Sequence, residues 1–335
     1  MYIQLRICDV WLNDFVVERV MLSDDMRKRI ASLNRRDLRH EDEVVVGETP
    51  EPEAKPAATR REPRIRTPQE PLPMPDNLRV MATAADARLR LRLDEVAQGT
   101  EIQTEAGQFF MIDQSLNELL PGGGDGFREH YVKVIQDLSA TTVPSDPHNT
   151  FDVLIDAKPE NVIYVDIETT GLTAGTPLFL VGVLGYWNGD LRVQQLLARD
   201  YTEEPALLSY FSNMLSASDV VVSFNGKSYD LPYIRDRSMF MSIPFQLKQA
   251  HIDMLHVGRR RWRKRLPNCK LQTLEQYICK RIRRGDIPGA DIPDAYHRFV
   301  QSGNAVQMRD ILHHNALDLL TTAEVLTFIL DGRDV

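Results

Sequence analysis

The twelve residues Asn161-Val-Ile-Tyr-Val-Asp-Ile-Glu-Thr-Thr-Gly-Leu172 leave few folds open. From Asn161 to Ile167 the run is rich in β-branched and aromatic side chains, and a Gly-bearing loop follows, so it reads as a buried strand ending in a turn. Strand side chains alternate between faces, so Asp166 and Glu168, two apart, point the same way. Neighbouring carboxylates repel each other and are costly to bury unpaired. A divalent cation is the simplest partner that makes such a pair favourable. The plain alternative is a solvated strand end with two incidental acids, and Asp-x-Glu alone does not exclude it.

The residues after this stretch alternate between strand and helix signals. Leu178–Trp187 reads as a second strand, and Asn188-Gly189-Asp190 as a hairpin turn into a third at Leu191–Leu197. Asp200-Tyr-Thr-Glu203 caps a helix expected to run to about Leu215. Asp219–Phe224 is a short apolar strand of the kind buried in a parallel pairing. The loop Asn225-Gly-Lys-Ser-Tyr-Asp230 leads into a helix through Met239, and the remainder is mostly helical. Asp230 therefore follows a buried strand by one short loop, a position that commonly carries sites, although an Asp there also serves as an ordinary helix cap. In the last long helix His314 and Asp318 are four apart and share a face. A surface hydrogen bond is the ordinary meaning of that spacing.

Four acids from three places can converge on two cations. Two divalent ions about 4 Å apart suit in-line attack on a phosphodiester, and a nearby His, titrating near neutrality, can take the proton of the attacking water. The stretches Asp166-Ile-Glu-Thr-Thr-Gly-Leu172, Ser223-Phe-Asn-Gly-Lys-Ser-Tyr-Asp230 and His314-Asn-Ala-Leu-Asp318 resemble the three exonuclease motifs of the DEDD superfamily. With Ile287-Pro-Gly-Ala-Asp-Ile-Pro-Asp-Ala-Tyr296 ahead of the final helix, the pattern is most similar to the YprB-type branch of ribonuclease-H-like proteins. The resemblance covers residues 158–332. It implies an α/β ribonuclease-H-like fold, a mixed five-stranded sheet flanked by helices, and fits the order of three antiparallel strands, a helix and a parallel strand.

The resemblance further implies a 3′→5′ exonuclease acting on single-stranded RNA or DNA ends. Two Mg²⁺ or Mn²⁺ ions would be held by Asp166, Glu168, Asp230 and Asp318, and Thr169, Leu172, Asn225 and Lys227 would lie along the substrate. It also implies a general base near the last acid, a Tyr four residues before it in one subclass and a His five before it in another. This sequence has His314 at minus four and His313 at minus five and matches neither cleanly. On a continuous helix five residues turn about 500°, so His313 lies roughly 140° off the face of Asp318 and His314 is the better base. A nucleic-acid-binding module with weak or no catalysis, and a structure-specific endonuclease of the same fold, are the alternatives.

The net charge of −8 rules out a general nucleic-acid coater, so a polyanion has to meet a local basic patch. One exists. Residues 248–284 carry twelve Lys or Arg against Asp253 and Glu275, a net +10, which leaves −18 for the rest. Within it, Arg259, Arg260, Arg261, Arg263, Lys264 and Arg265 surround Trp262, and the reading is phosphate contact by the arginines with base stacking on Trp262. The ordinary alternative is a solvated loop with Trp262 in the core. Asp253 reads as a supporting structural acid.

Ahead of the nuclease-like region, 1–40 is a small N-terminal segment and 41–76, with eight prolines, a disordered linker. Residues 77–157 read as a small α+β module containing a helical Ala84–Val96 and a hairpin over 100–112. Cys8, Cys269 and Cys279 form no Cys-x-x-Cys pair, which points to reduced thiols in a cytoplasmic protein rather than a zinc ribbon. No apolar run reaches the roughly 18 residues needed to cross a bilayer.

Overall fold

The computed structural model describes residues 89–120, 122–283 and 285–335. The segment 1–40, the linker 41–76 and the first part of the expected Ala84–Val96 helix lie outside the described residues; of that helix, Leu93–Val96 is helical. The strands are β1 (Thr100–Thr104), β2 (Gly107–Ser115), β3 (Val162–Thr169), β4 (Leu178–Trp187), β5 (Asp190–Leu197), β6 (Val220–Ser223) and β7 (Ala250–Asp253). The longer helices are α1 (Gly124–Gln136), α2 (Glu204–Ser216), α3 (Asp230–Phe240), α4 (Met254–Trp262), α5 (Ile292–Ser302) and α6 (Val306–Leu330).

The strand order is β1-β2-β5-β4-β3-β6-β7. β3, β4 and β5 form an antiparallel meander, and β6 pairs parallel with both β3 and β7. The turn from β4 to β5 places Asn188 and Gly189 at φ 55° and 81°, the left-handed pair whose twist matches the flanking strands. All four residues of β6 are buried, as a strand between two parallel neighbours requires.

The sheet has seven strands, not the five expected. β2 pairs along the outer edge of β5, from Phe110 opposite Leu197 to Ser115 opposite Arg192, and β1 pairs on β2. The hairpin covers an edge that would otherwise present unpaired backbone groups, and it buries Phe109 and Ile112 in the same core as Leu196 and Leu197. Residues 100–136 thus share sheet and core with the strands that follow.

Alternation along β3 sorts the core into two layers. Ile163, Val165 and Ile167 pack with Phe211 of α2, Ile234 of α3 and Phe299 of α5. Val162 and Tyr164 pack with Tyr131 of α1, Trp262 of α4 and Leu320 of α6. Asp166 and Glu168 continue the second row, so they emerge on the face that α6 crosses.

The loop from β3 to β4 is fastened from below. Arg237 of α3 donates through Nε and Nη2 to Glu204 of α2 at 2.6 and 2.5 Å, and through Nη1 to the Ala174 carbonyl at 3.2 Å. Glu204 Oε1 also accepts from Leu178 N at 3.0 Å. The pair is almost fully buried, and satisfaction of its remaining polar atoms by backbone is what makes such burial tolerable. Among the described residues no helix is long and apolar enough to cross a membrane.

Candidate active site

Asp166 projects from the second half of β3, and its neighbour across the ladder on β4 is Gly182. A Cβ at Gly182 would stand 2.1 Å from Asn315 Oδ1. The glycine thus leaves room for α6 to lay Asn315 against the sheet. Asn315 Nδ2 donates to Asp166 Oδ2 at 2.8 Å, and Gln195 Nε2 of β5 donates to Asn315 Oδ1 at 2.9 Å and to the Leu312 carbonyl at 2.7 Å. One polar chain from β5 through α6 therefore sets the orientation of the Asp166 carboxylate.

Asp230 opens α3 after the loop from β6. Asn225 takes φ 69°, a conformation Asn tolerates better than most residues. Gly226 packs so closely that a Cβ there would lie 2.2 Å from Ser223 Oγ and 3.4 Å from Asp230 Oδ2. Asp253, at the end of β7, organises this loop. Its Oδ1 accepts from Asn225 N and Leu255 N and its Oδ2 from Lys227 N, each at 3.0 Å. That is the supporting role the sequence suggested.

The carboxylates sense one another. Burial, then the charges of Asp318, Glu168 and Asp230, push Asp166 well above the usual carboxylate range. Burial, then Asp318 and Asp230, do the same to Glu168. Asp230 is pushed up to about 7, chiefly by burial and further by Asp253 and Asp318, against hydrogen bonds from its own backbone and that of Ile167. Negative charge is concentrated in a half-buried place, and each proton retained there relieves it.

Two residues that sequence reasoning passed over complete the cluster. Asp286 Oδ1 accepts from His314 Nδ1 at 2.8 Å, while His314 Nε2 lies 3.6 Å from Asp318 Oδ2. Arg283 sets its Nη2 2.5 Å from Asp318 Oδ1 and donates through Nε to Glu275 Oε2 at 2.6 Å. Burial alone would lower the pKa of His314, but the Asp286 hydrogen bond and the charges of Asp318 and Asp286 outweigh it and hold the imidazole above its ordinary value. Arg281, bound to Glu275, Thr321 and Glu324, clamps the same loop onto α6. Asp286 follows an arginine-rich run, which in sequence registers only as positive charge.

α6 runs unbroken through both histidines. His313 therefore turns away from the acids and lines a cavity of about 150 Å³ with Ile112, Gln114, Leu119 and Gln195. Burial pushes its pKa down to about 4. Its pairing with His314 as a candidate base is corrected by the geometry of a continuous helix.

The basic run is corrected more broadly. Trp262 has no exposed surface and packs in the core, its indole Nε1 donating to Asp334 Oδ1 at 2.9 Å. It is closed to a nucleic-acid base because the apolar face of α4 has to be covered. Arg260 pairs with Asp146 and Thr150, Arg265 with Asp334, and Arg261 is half-buried and reaches the Arg333 carbonyl. Arg281 and Arg283 are internal counter-ions. Arg259, about 9 Å of helical rise beyond Asp253, and Arg263 and Lys264, in the turn that follows α4, are exposed. Trp262→Phe is expected to lower stability by about 1 kcal/mol, through the lost indole hydrogen bond and some packing, and to leave affinity for a single-stranded oligonucleotide unchanged. Thermal melts and fluorescence anisotropy check both halves; weakened binding would return the stacking role to Trp262.

The remaining candidates lie around the acids. Thr169 is buried, donating to the Gly171 carbonyl at 2.7 Å and sharing a 2.9 Å hydrogen bond with Tyr229 OH. Leu172 is 88% exposed at the tip of the fastened loop. Asn225 is half-buried, and the Lys227 side chain is exposed. As they stand, no three His, Cys, Asp or Glu side chains among the described residues are gathered to hold a metal ion.

Parts of this chain are similar to known proteins. A family model of the RNase_H superfamily matches residues 163–329. The YprB protein of Bacillus subtilis (strain 168) is 31% identical over 167 residues, 48% of this chain, and the chain spans 40% of that relative's length. Among solved structures, the family B DNA polymerase of the archaeon Pyrobaculum calidifontis aligns with 50% of this chain and 24% of its own, at 14% identity and a TM-score of 0.41.

Proposed function

We propose, from the premise that residues 163–329 form a ribonuclease-H-like domain of the RNase_H superfamily and the YprB type, that this chain is a divalent-metal-dependent 3′→5′ exonuclease acting on single-stranded nucleic acid. One observation carries the reading: Asp166, Glu168, Asp230 and Asp318 lie near enough for their charges to act on one another, and His314 is oriented beside Asp318 by Asp286.

The donor set fits a divalent cation. It consists of carboxylate oxygens, those of Asp230 buried and those of Asp166, Glu168 and Asp318 half-buried, the hard ligands that Mg²⁺ and Mn²⁺ prefer, and it holds more negative charge than Arg283 and His314 offset. When bound, the ion would polarise the water and the scissile phosphate and offset charge on the leaving oxygen. The chain's own residues supply the rest. Asn315 and Gln195 fix the Asp166 carboxylate. Asp253 fixes the loop that presents Asp230. Asp286 accepts the His314 Nδ1 proton, which leaves the Nε2 lone pair directed to the Asp318 side, where it takes the proton of the attacking water. Leu172, Asn225 and Lys227 border the approach, with Arg259 on α4 and Arg263 and Lys264 in the turn after it for phosphates upstream. Neutralising those last three is expected to flatten the slope of log affinity against log salt by about 2; an unchanged slope would place the strand elsewhere.

The deciding experiment incubates purified chain with matched RNA and DNA strands, labelled at either end, in Mg²⁺, Mn²⁺ or EDTA. Metal-dependent release of mononucleotides from the 3′ end is expected. Binding without cleavage would favour a nucleic-acid-binding module, and internal cuts an endonuclease.

A further inference from the structure

The last acid of the cluster already has a cation beside it. Arg283 is 4% exposed, a burial arginine rarely accepts without a defined partner. Its guanidinium is held from behind, Nε by Glu275 Oε2 at 2.6 Å and Nη1 by Asp286 Oδ2 at 3.4 Å. Glu275 is itself buried and held by Arg281. The remaining corner, Nη2, stands 2.5 Å from Asp318 Oδ1. The other Asp318 oxygen faces His314. Across the site, Asp166 has already given Oδ2 to Asn315.

The two-ion reading needs the oxygens of Asp318 for a cation. Here a guanidinium fixed by two other carboxylates stands against one of those oxygens instead. Arginine keeps its charge at any working pH and is more weakly hydrated than an ammonium, so it serves as a permanent buried counter-ion. A dication brought to Asp318 would meet it at contact distance in a poorly screened interior.

Resting on the metal-dependent reading above, we propose that Arg283 supplies at Asp318 the positive charge that a second metal ion supplies elsewhere, so that this chain loads one divalent cation, on Asp166, Glu168 and Asp230. Asp318 then serves to seat Arg283 and to face His314.

The test counts ions rather than turnover. Mn²⁺ binding to the full chain is measured by equilibrium dialysis and by electron paramagnetic resonance of the free ion. One Mn²⁺ per chain is expected for the parent and for Arg283→Lys, which keeps the charge, and two for Arg283→Gln. Asp318→Asn is expected to keep its one ion within tenfold of the parent's affinity. Two ions of comparable affinity on the parent would overturn the proposal. So would a single ion on an Arg283→Gln chain whose circular dichroism matches the parent, or loss of the ion in Asp318→Asn. Should Arg283→Gln fail to fold, the parent and Asp318→Asn counts decide. If the parent binds no Mn²⁺ and Asp166→Asn is indistinguishable from it, the metal-dependent reading itself fails, and this proposal with it.

Discussion

His314→Ala is expected to cut turnover by about 10²–10⁴-fold, the usual range for losing a positioned general base, while leaving Mn²⁺ binding intact because the carboxylates remain. His313→Ala should change turnover by less than about threefold, since that ring lines a separate cavity. The pH profile carries the sharper information. A base works only when deprotonated, and the pKa of His314 is held above its ordinary value by Asp286 and Asp318 against the effect of burial. In the parent, activity should therefore rise with pH through a limb above the ordinary imidazole value of about 6.5. Asp286→Asn removes the charge that its hydrogen bond brings to Nδ1, so the limb should move to lower pH. Turnover above both limbs should fall by about tenfold, because the ring is less firmly held. A pH–rate profile that stays in place in Asp286→Asn would mean the carboxylate positions the ring without tuning it. If His314→Ala retains full activity, the proton leaves by another route.

What could be read in advance followed local rules. β3 announced itself by β-branched residues with acids on one parity, and the structure places those acids on one face. Asn188-Gly189 called for a two-residue hairpin turn because few other pairs accept two left-handed residues, and both are left-handed here. His314 and Asp318 were paired by helical spacing alone. The rest depended on contacts between distant parts of the chain. Arg283 meets Asp318 thirty-five residues on, and nothing in a run of arginines separates the buried counter-ion from the solvated ones. The same blindness made Trp262 look like a stacking platform, although its neighbours in space are core side chains and the C-terminal Asp334. Asn315 sat inside a recognised motif with no role, because its partners Gln195 and Gly182 come from other strands. The hairpin over residues 100–115 was visible as a hairpin, but a sequence does not say which sheet edge it will cover.

Asp230→Asn should abolish hydrolysis, by at least about 10²-fold if this carboxylate holds the ion, and yet make the metal-free chain more stable. The sign follows from the shift. Asp230 is pushed up to about 7 in the folded chain, chiefly by burial, against about 3.9 when unfolded. Below pH 4 the group is protonated in both states and its burial is inexpensive. Between pH 4 and 7 the folded chain binds the proton more tightly than the unfolded one, so stability falls as pH rises, and above pH 7 the full cost is present. The neutral amide has nothing to deprotonate. Its advantage should be near zero at pH 4 and grow to a few kcal/mol at pH 8 in EDTA. Divalent ions should reverse the order, because a ligand at about 100 times its dissociation constant stabilises the folded parent by about 2.7 kcal/mol, and the variant has lost part of the site. Thermal melts of both chains at pH 5 and pH 8, with EDTA or Mg²⁺, give the four comparisons. A variant less stable than the parent at pH 8 in EDTA would mean that Asp230 is better satisfied in the folded chain than its burial implies, and that the acids form a structural cluster rather than a cation-binding one.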